Sequence, residues 1–589
     1  MDLLKELALK GKLVFVVIHQ PSSDIFKMFD KLLILDTGGY PIYYGNPVES
    51  LIYFKTTVNH INANESECVY CGNVNPEQVF NIIESKVLDE NGNQTRKRRI
   101  SPKEWNELYK DQNLKRLPVA AGSEKQKIKN NFQKPNFLNQ FKVFVMRNVL
   151  AKISNTQYLL INLLEAPVLA LLLASLIKFY KANGDYIFYE NKNMPAYLFM
   201  CVIVALFIGL TVSAEEIIRD RKILKRESFL NLSKGSYLLS KIVFLFFLSA
   251  IQTLLFVLIG NSILEIKGMY ADYWLILFST SCFANMLGLN ISATFNSAVT
   301  IYILIPFLLI PQILLSGVIV KFEELNPKIS SQAVVPLWGE MMTSRWAFEA
   351  LAVNQFSSNK YEKNIFEYEK QMSSAGFKKV YWYSKMNDLL DEIQKIKSTD
   401  PEKANQKLDI VKNELATEIR LNPALGLDLK AINLQSFDAT SLKNSLEKIR
   451  SFYAENYEKA QKSKDAWIGN FQSTNSGKAQ YQALLNQYQN KKIEEAVKNS
   501  NPDNESVVEE GGRLVATSDP IFRDGPSDKF IRAQFYAPRK NVAGSYYSTY
   551  WVNLMVIWGM SILLAITLYF DVFKKGLKLF SKRKSKNKN

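Results

Sequence analysis

Six apolar stretches decide what this chain can become. Residues 158–177, 196–213, 238–260, 273–294, 300–320 and 551–570 each approach the ~20 apolar residues a helix needs to cross a hydrocarbon core. Backbone inside lipid must satisfy its own polar groups, so these stretches predict helices and a mainly α, multi-domain membrane protein. Polar blocks lie between them, which is why 47% hydrophobic residues coexist with a mean hydropathy of −0.09. At 589 residues, a single domain is also ruled out on length.

The formal charge of +17 would suit nucleic acid, but its placement argues against that partner. Arg219, Arg221, Lys222, Lys225 and Arg226 follow the second stretch, and a basic run from Lys574 to Lys588 follows the sixth. That is the positive-inside pattern. The 215–236 connection, with six Lys/Arg, is assigned to the cytoplasm, and 180–193, lacking such a cluster, to the outside. Six crossings then leave both termini cytoplasmic, in a bacterial plasma membrane. No long apolar core marks the first dozen residues as a secretory signal.

Four cysteines make no disulfide framework. Cys201 and Cys282 read as small hydrophobes within spans, while Cys68 and Cys71 form a lone C-x-x-C with His60 upstream. Zinc normally takes four ligands, so this pair is a weak metal candidate beside a plain reduced turn. Glu165 is an ionisable group inside the first span and needs a partner or a wet cavity. Asn285 and Asn290 read as interhelical glue. Tyr546, Tyr547, Tyr550 and Trp551 read as an interfacial aromatic belt.

Residues 13–45 read LVFVVIHQPSSDIFKMFDKLLILDTGGYPIYYG. An apolar run ends in His-Gln-Pro; a short helix with Phe29-Asp30 and a second strand closing on Gly-Gly follow. This resembles the last part of an ATP-binding-cassette ATPase domain, and the order ATPase-then-membrane resembles the G (White) subfamily of ABC transporters. The resemblance implies that His19 is the switch-loop histidine contacting the γ-phosphate, with Gln20 supporting the loop. It implies ATP and magnesium as cofactors, held mainly by motifs these residues lack. No G-x-x-x-x-G-K-[ST] occurs here, nor a signature sequence or the acidic strand end carrying a catalytic Glu. Residues 1–7 read as the helix following that acidic strand, so a truncated chain or an internal start is expected, unable to hydrolyse ATP alone.

Further motifs carry the same resemblance. Residues 214–227, AEEIIRDRKILKRE, resemble the subfamily's coupling helix, which implies an ATPase-facing role for Glu216, Arg221, Arg226 and Glu227. Residues 315–320, LSGVIV, resemble its apolar plug, which implies Val318 and Ile319 as gate residues, sealing where water would pass. Pro336-Leu-Trp and residues 344–356 resemble its re-entrant region.

The domain order implied is an ATPase remnant over 1–115, a linker and connecting helix over 116–157 and five spans over 158–320. A re-entrant region with a large outer insert over 321–550, a sixth span over 551–573 and a basic cytoplasmic tail over 574–589 complete it. The function implied is a half-transporter of an ATP-driven exporter, a type-2 permease working by alternating access. Its partners would be membrane lipid, a second half-transporter and an unidentified lipophilic or amphipathic substrate. The alternative is a non-hydrolytic membrane scaffold, or a permease using a separate ATPase, whose outer domain binds an envelope partner. An ion channel lacks a charged ring or filter sequence.

The insert departs from the subfamily. Helical periodicity over 386–396, 402–420, 441–462 and 479–498 predicts a small helical domain, with Leu389, Leu390, Ile393 and Ile396 on its apolar stripe. Residues 500–512 and 524–528 read as loops. The insert contains neither His nor Cys, which removes nucleophile–His pairs and zinc sites.

Overall fold

A computed structural model describes the chain except residues 69–70, 91, 115–134, 181–183, 228–229, 231, 326–330, 332–333, 426–433, 435–436, 500–505 and 587–589. It divides into two compact units, Met1–Gln133 and Lys134–Asn589.

The first unit runs α1 (Asp2–Leu9), α2 (Ser23–Lys27), β1 (Leu32–Asp36), β2 (Tyr40–Gly45), α3 (Pro47–Thr57), α4 (Glu77–Ile83), β3 (Lys86–Leu88), β4 (Gln94–Arg98) and α5 (Pro102–Leu114). β1 and β2 pair antiparallel from Leu32–Gly45 to Asp36–Tyr40, with a bulge between Ile34 and Leu35. Trp105 and Phe54 anchor the core edge to face, their rings 5.2 Å apart. The apolar run before His19 differs from the expected buried strand. Residues 12–18 adopt no strand, and Leu13, Phe15 and Val17 are exposed. A strand needs neighbours for its N–H and C=O groups, and the described strands form only two-stranded hairpins that leave this run unpaired.

The second unit holds the bundle. It begins with α6 (Phe137–Ile153), α7 (Thr156–Ile177), α8 (Met194–Ser213), α9 (Glu216–Glu227), α10 (Lys234–Ile263) and α11 (Tyr270–Thr294). It continues with α12 (Ala298–Leu314), α13 (Leu337–Glu340) and α14 (Thr343–Ser357). α8 and α11 are central and cross closely because Gly209 lacks a side chain. A Cβ there would lie 2.6 Å from the Ser281 carbonyl oxygen and 2.7 Å from Ala284 Cβ. Four spans match the predicted stretches within a few residues, apart from α10, which runs further at both ends.

The fifth does not match. α12 stops at Leu314, and its 17 residues reach roughly 25 Å, short of a ~30 Å hydrocarbon core. Pro306 and Pro311 lie inside it, and Gly317 then takes φ +77°, turning the chain. The predicted span to residue 320 therefore ends six residues early. α14, another short helix, is buried on nearly every side against α8, α11, α12 and the last span.

The insert is helical, as predicted. It comprises α15 (Glu362–Phe377), α16 (Tyr383–Ile396), α17 (Pro401–Leu421), α18 (Ala439–Gln472), α19 (Asn475–Tyr488) and α20 (Lys491–Val497). Leu389, Leu390 and Ile393 join Trp382, Leu408, Val411, Leu446 and Ile449 in its separate core. The predicted 479–498 helix is broken at Gln489–Asn490. The Asn490 carboxamide caps α20, accepting from Ile493 N at 3.0 Å, and donates to the carbonyls of Phe188 and Asn191. β5 (Val507–Glu510) and β6 (Arg513–Ala516) form a hairpin across a Gly-Gly turn, so that β5 and the turn fall within the expected 500–512 loop and β6 follows it. β7 (Arg539–Val542) and β8 (Ser545–Ser548) form another, leading into the last span, α21 (Thr549–Tyr569), and α22 (Val572–Lys586). Tyr546, Tyr547 and Trp551 are exposed, but Tyr550 is buried and donates to the Asp272 carbonyl at 3.0 Å, so it leaves the predicted belt.

Candidate functional site

At the end of the bundle holding α9, ion pairs lock three helices together and hydrogen bonds add a fourth. Glu216, in the first turn of α9, is buried and shared by two ammonium groups. Lys152 of α6 reaches one carboxylate oxygen, and Lys241 of α10 reaches the other at 3.0 Å. Lys241 also pairs with Asp220 at 2.9 Å, and the Tyr237 hydroxyl donates to Asp220 at 3.0 Å. Burial pushes the Lys152 ammonium below its usual range, while Glu216 pulls it back up. Arg147 of α6 donates to both oxygens of Glu227 at 2.9 and 3.1 Å, closing the far end of α9.

The fourth helix is tied through its C-terminus. Ser292 Oγ of α11 accepts from the Ile217 and Ile218 amides at 3.0 and 3.1 Å, satisfying donors that a helix start leaves open. Arg221 donates to the carbonyls of Ser292, Ala293 and Phe295 at 3.2, 3.1 and 2.9 Å, and also to Asn296. These are the free acceptors of a helix end, which favours a cation there. α9 is thus bonded to α6, α10 and α11.

The proposed gate lies past α12. Val318 is half-buried against the bundle core, whereas Ile319 is 58% exposed. Ser316 Oγ donates to the Ile313 carbonyl at 2.8 Å and accepts from Val318 N at 3.3 Å, shaping the turn. The ring of Phe322 fills the space a Gly317 side chain would need.

Along the first half of α14, a buried charge network joins the bundle to the hairpin before α21. Glu349 and Lys540 have 0% exposure and meet at 2.6 Å. Asn553 of α21 donates to Glu349 at 2.7 Å and accepts from Lys540 at 2.9 Å, and the Tyr536 amide donates to Glu349 at 3.2 Å. Arg345, fully buried over the Trp346 ring, lies 3.1 Å from Glu340 and 3.5 Å from Glu349. Burial pulls the Lys540 ammonium down to about 8 despite Glu349.

A family model for ABC-2 type transporters matches residues 139–356, from α6 to α14. The chain carries an ABC-2 type transporter domain. Its relatives bear out the G subfamily. ABC transporter G family member 37 of Arabidopsis thaliana is 23% identical over 387 residues, covering 62% of this chain and 25% of that protein. ABC transporter G family member 1 of Dictyostelium discoideum is 40% identical over 91 residues, 15% of this chain and 10% of that one. Protein white of Drosophila melanogaster is 43% identical over 54 residues, 9% and 8% respectively. The chain thus spans a quarter or less of the length of these relatives.

Within the ABC-2 domain, three of the four predicted coupling residues each bond a neighbouring helix, Glu216 to α6 and α10, Arg221 to α11 and Glu227 to α6; Arg226 is exposed. Their partners Arg147, Lys152 and Lys241 escaped the sequence. Lys241 carried a signal: a lone cation inside an apolar stretch demands an anion. Glu165 is half-buried on α7, and among the described residues no hydrogen bond or ion pair reaches it. Asn285 donates to Ser249 of α10 at 2.7 Å, and Asn290 donates to the Leu564 carbonyl of α21 at 2.8 Å.

In the first unit, His19 and Gln20 occupy an exposed bend, with Gln20 at φ +47°. Cys68 and Cys71 are exposed and form no disulfide among the described residues; residues 69–70 between them lie outside the described residues. No group of three or more metal-ligating side chains occurs among the described residues.

Proposed function

We propose that this chain is the membrane part of an ATP-driven G-subfamily transporter, a half-transporter that pairs with a second half and exports a lipophilic or amphipathic substrate. The observation that carries the reading is the four-helix lock around Glu216: displacement of α9 reaches the span ends of α10 and α11 without slack. In this reading Glu216, Arg221 and Glu227 transmit motion, and Val318 and Ile319 seal the path. The α12 face bearing Tyr302, Ile303, Phe307 and Ile310, exposed in the single chain, is assigned to the second half. Both ends of the chain and α9 face the cytoplasm, and the insert faces away. The organisms of the matched relatives favour a eukaryotic membrane over the bacterial one expected from sequence.

ATP does not fit these residues alone. His19 and Gln20 sit on an exposed loop, and no G-x-x-x-x-G-K-[ST] sequence, whose backbone amides would cradle phosphate, occurs in the 589 residues. No hydrolytic step is assigned to them; the nucleotide and magnesium chemistry is supplied from outside these residues. That favours an assembly in which the ABC-2 domain answers ATPase motifs placed elsewhere.

The test is gate accessibility. Ile319→Cys, in membranes holding the assembled transporter, is expected to change its reaction rate with a maleimide severalfold when a non-hydrolysable ATP analogue is added. The same change should vanish when Glu216→Gln is added. A rate indifferent to nucleotide would overturn the reading.

A further inference from the structure

We infer that α22 is a lipid-binding element, lying in the headgroup layer of an anionic phospholipid leaflet at the end of the bundle where α9 sits. The inference rests on the orientation given above only for naming that leaflet as cytoplasmic.

The geometry starts at Asp571. Its φ of +54° ends α21 and turns the chain, so α22 does not continue the span but packs beside the ends of α11 and α21. Only two residues separate the two helices, which holds the start of α22 at the depth where the span leaves the hydrocarbon. Four large apolar side chains of its first half, Val572, Phe573, Leu577 and Leu579, are 40–67% exposed. In helical register they share one arc of this first half, while Lys574, Lys575 and Lys578 fall on the other. Beyond Asp571 there are eight Lys/Arg and no acidic residue. An apolar arc opposite a lysine face is the composition of a helix that lies in a membrane interface.

A second observation points the same way. A cavity of about 600 Å³ opens beside the first turn of α22, with Phe144, Leu224 and Leu568 as apolar wall and Arg221, Lys225 and Lys574 on its lining. The two acids there are already neutralised: Glu227 by Arg147, and Asp571 by Lys234 at 2.5 Å. A site that is greasy on one side and cationic on the other suits a phospholipid whose headgroup carries net negative charge. An acidic protein would satisfy the lysines yet leave the apolar arc uncovered, so the leaflet is the occupant of choice.

The full chain tests this in lipid nanodiscs. Cys68→Ser and Cys71→Ser remove the exposed thiols, Cys201 and Cys282 are buried, and Leu579→Cys accepts an environment-sensitive dye. Discs of phosphatidylcholine with phosphatidylserine should give blue-shifted emission relative to phosphatidylcholine alone, reversed by high salt. Lys575→Gln with Lys578→Gln should lower the docked-to-undocked ratio roughly 25-fold, since each lysine near such a surface contributes about a factor of five. Equal emission in the two disc types would overturn the inference, whether α22 is docked in both or in neither. So would indifference to the glutamine pair. Nanodiscs expose both faces, so a wrong orientation would leave this result untouched and would show only in a sidedness assay.

Discussion

Glu349→Ala is expected to destabilise the folded chain by about 3–5 kcal/mol, the cost of leaving a buried charge without its counterion. Glu349 has 0% exposure and takes hydrogen bonds from Lys540, Asn553 and the Tyr536 amide. Without it, among the described residues Lys540 keeps Asn553 as its polar partner at hydrogen-bonding distance, and Arg345 keeps Glu340 and the Trp346 ring. The network joins α14, the β7 strand and α21, so its loss should loosen the end of the bundle next to the insert. Thermal unfolding of the detergent-solubilised chain should show a midpoint lower by several degrees. Glu349→Leu combined with Lys540→Met should recover much of the loss, because a buried pair replaced by apolar side chains costs little. An unchanged midpoint in Glu349→Ala, or a double variant worse than either single one, would contradict this account.

Glu216→Ala is the second large expected effect. Lys152 and Lys241 are both mostly buried, and Glu216 is the acid they share. Lys241 retains Asp220, but Lys152 is left with the Tyr158 ring, 3.9 Å from its ammonium. The expected cost is again about 3 kcal/mol, concentrated where α9 meets α6 and α10. Backbone hydrogen exchange across 216–227 should accelerate on the order of a hundred-fold, with α14 unaffected. Glu216→Gln, which keeps the shape and loses the charge, should fall between. Exchange in α9 that matches the unaltered chain would remove the four-helix lock.

Much of the bundle was legible because a bilayer-length apolar run has few other ways to be satisfied. Four of the six runs became spans with ends a few residues from those predicted, and α10 ran longer; α12 failed instructively. Its apolar run continues to Val320, but the turn at Gly317 is a backbone event that hydropathy does not register. The run before His19 is the opposite case: strongly apolar, yet a strand exists only with partners, and the described residues supply none. The 479–498 helix split because Asn490 serves as a cap tied to a loop 300 residues away. Glu216, Arg221 and Glu227 could be singled out by their motif, but not Lys152, whose relation to Glu216 is purely spatial. The Glu349–Lys540 pair, 191 residues apart, had no local signature at all.

The central claim is directional: motion enters through α9 from the cytoplasm, and the insert stands on the far side. Sidedness labelling tests it most directly, on a Cys68→Ser/Cys71→Ser background with either Arg226→Cys in α9 or Lys462→Cys in α18, both exposed positions. With a membrane-impermeant maleimide, the cysteine at 462 should react in intact cells and the one at 226 only after the membrane is opened. Reaction at 226 in intact cells, with 462 protected, would contradict the account.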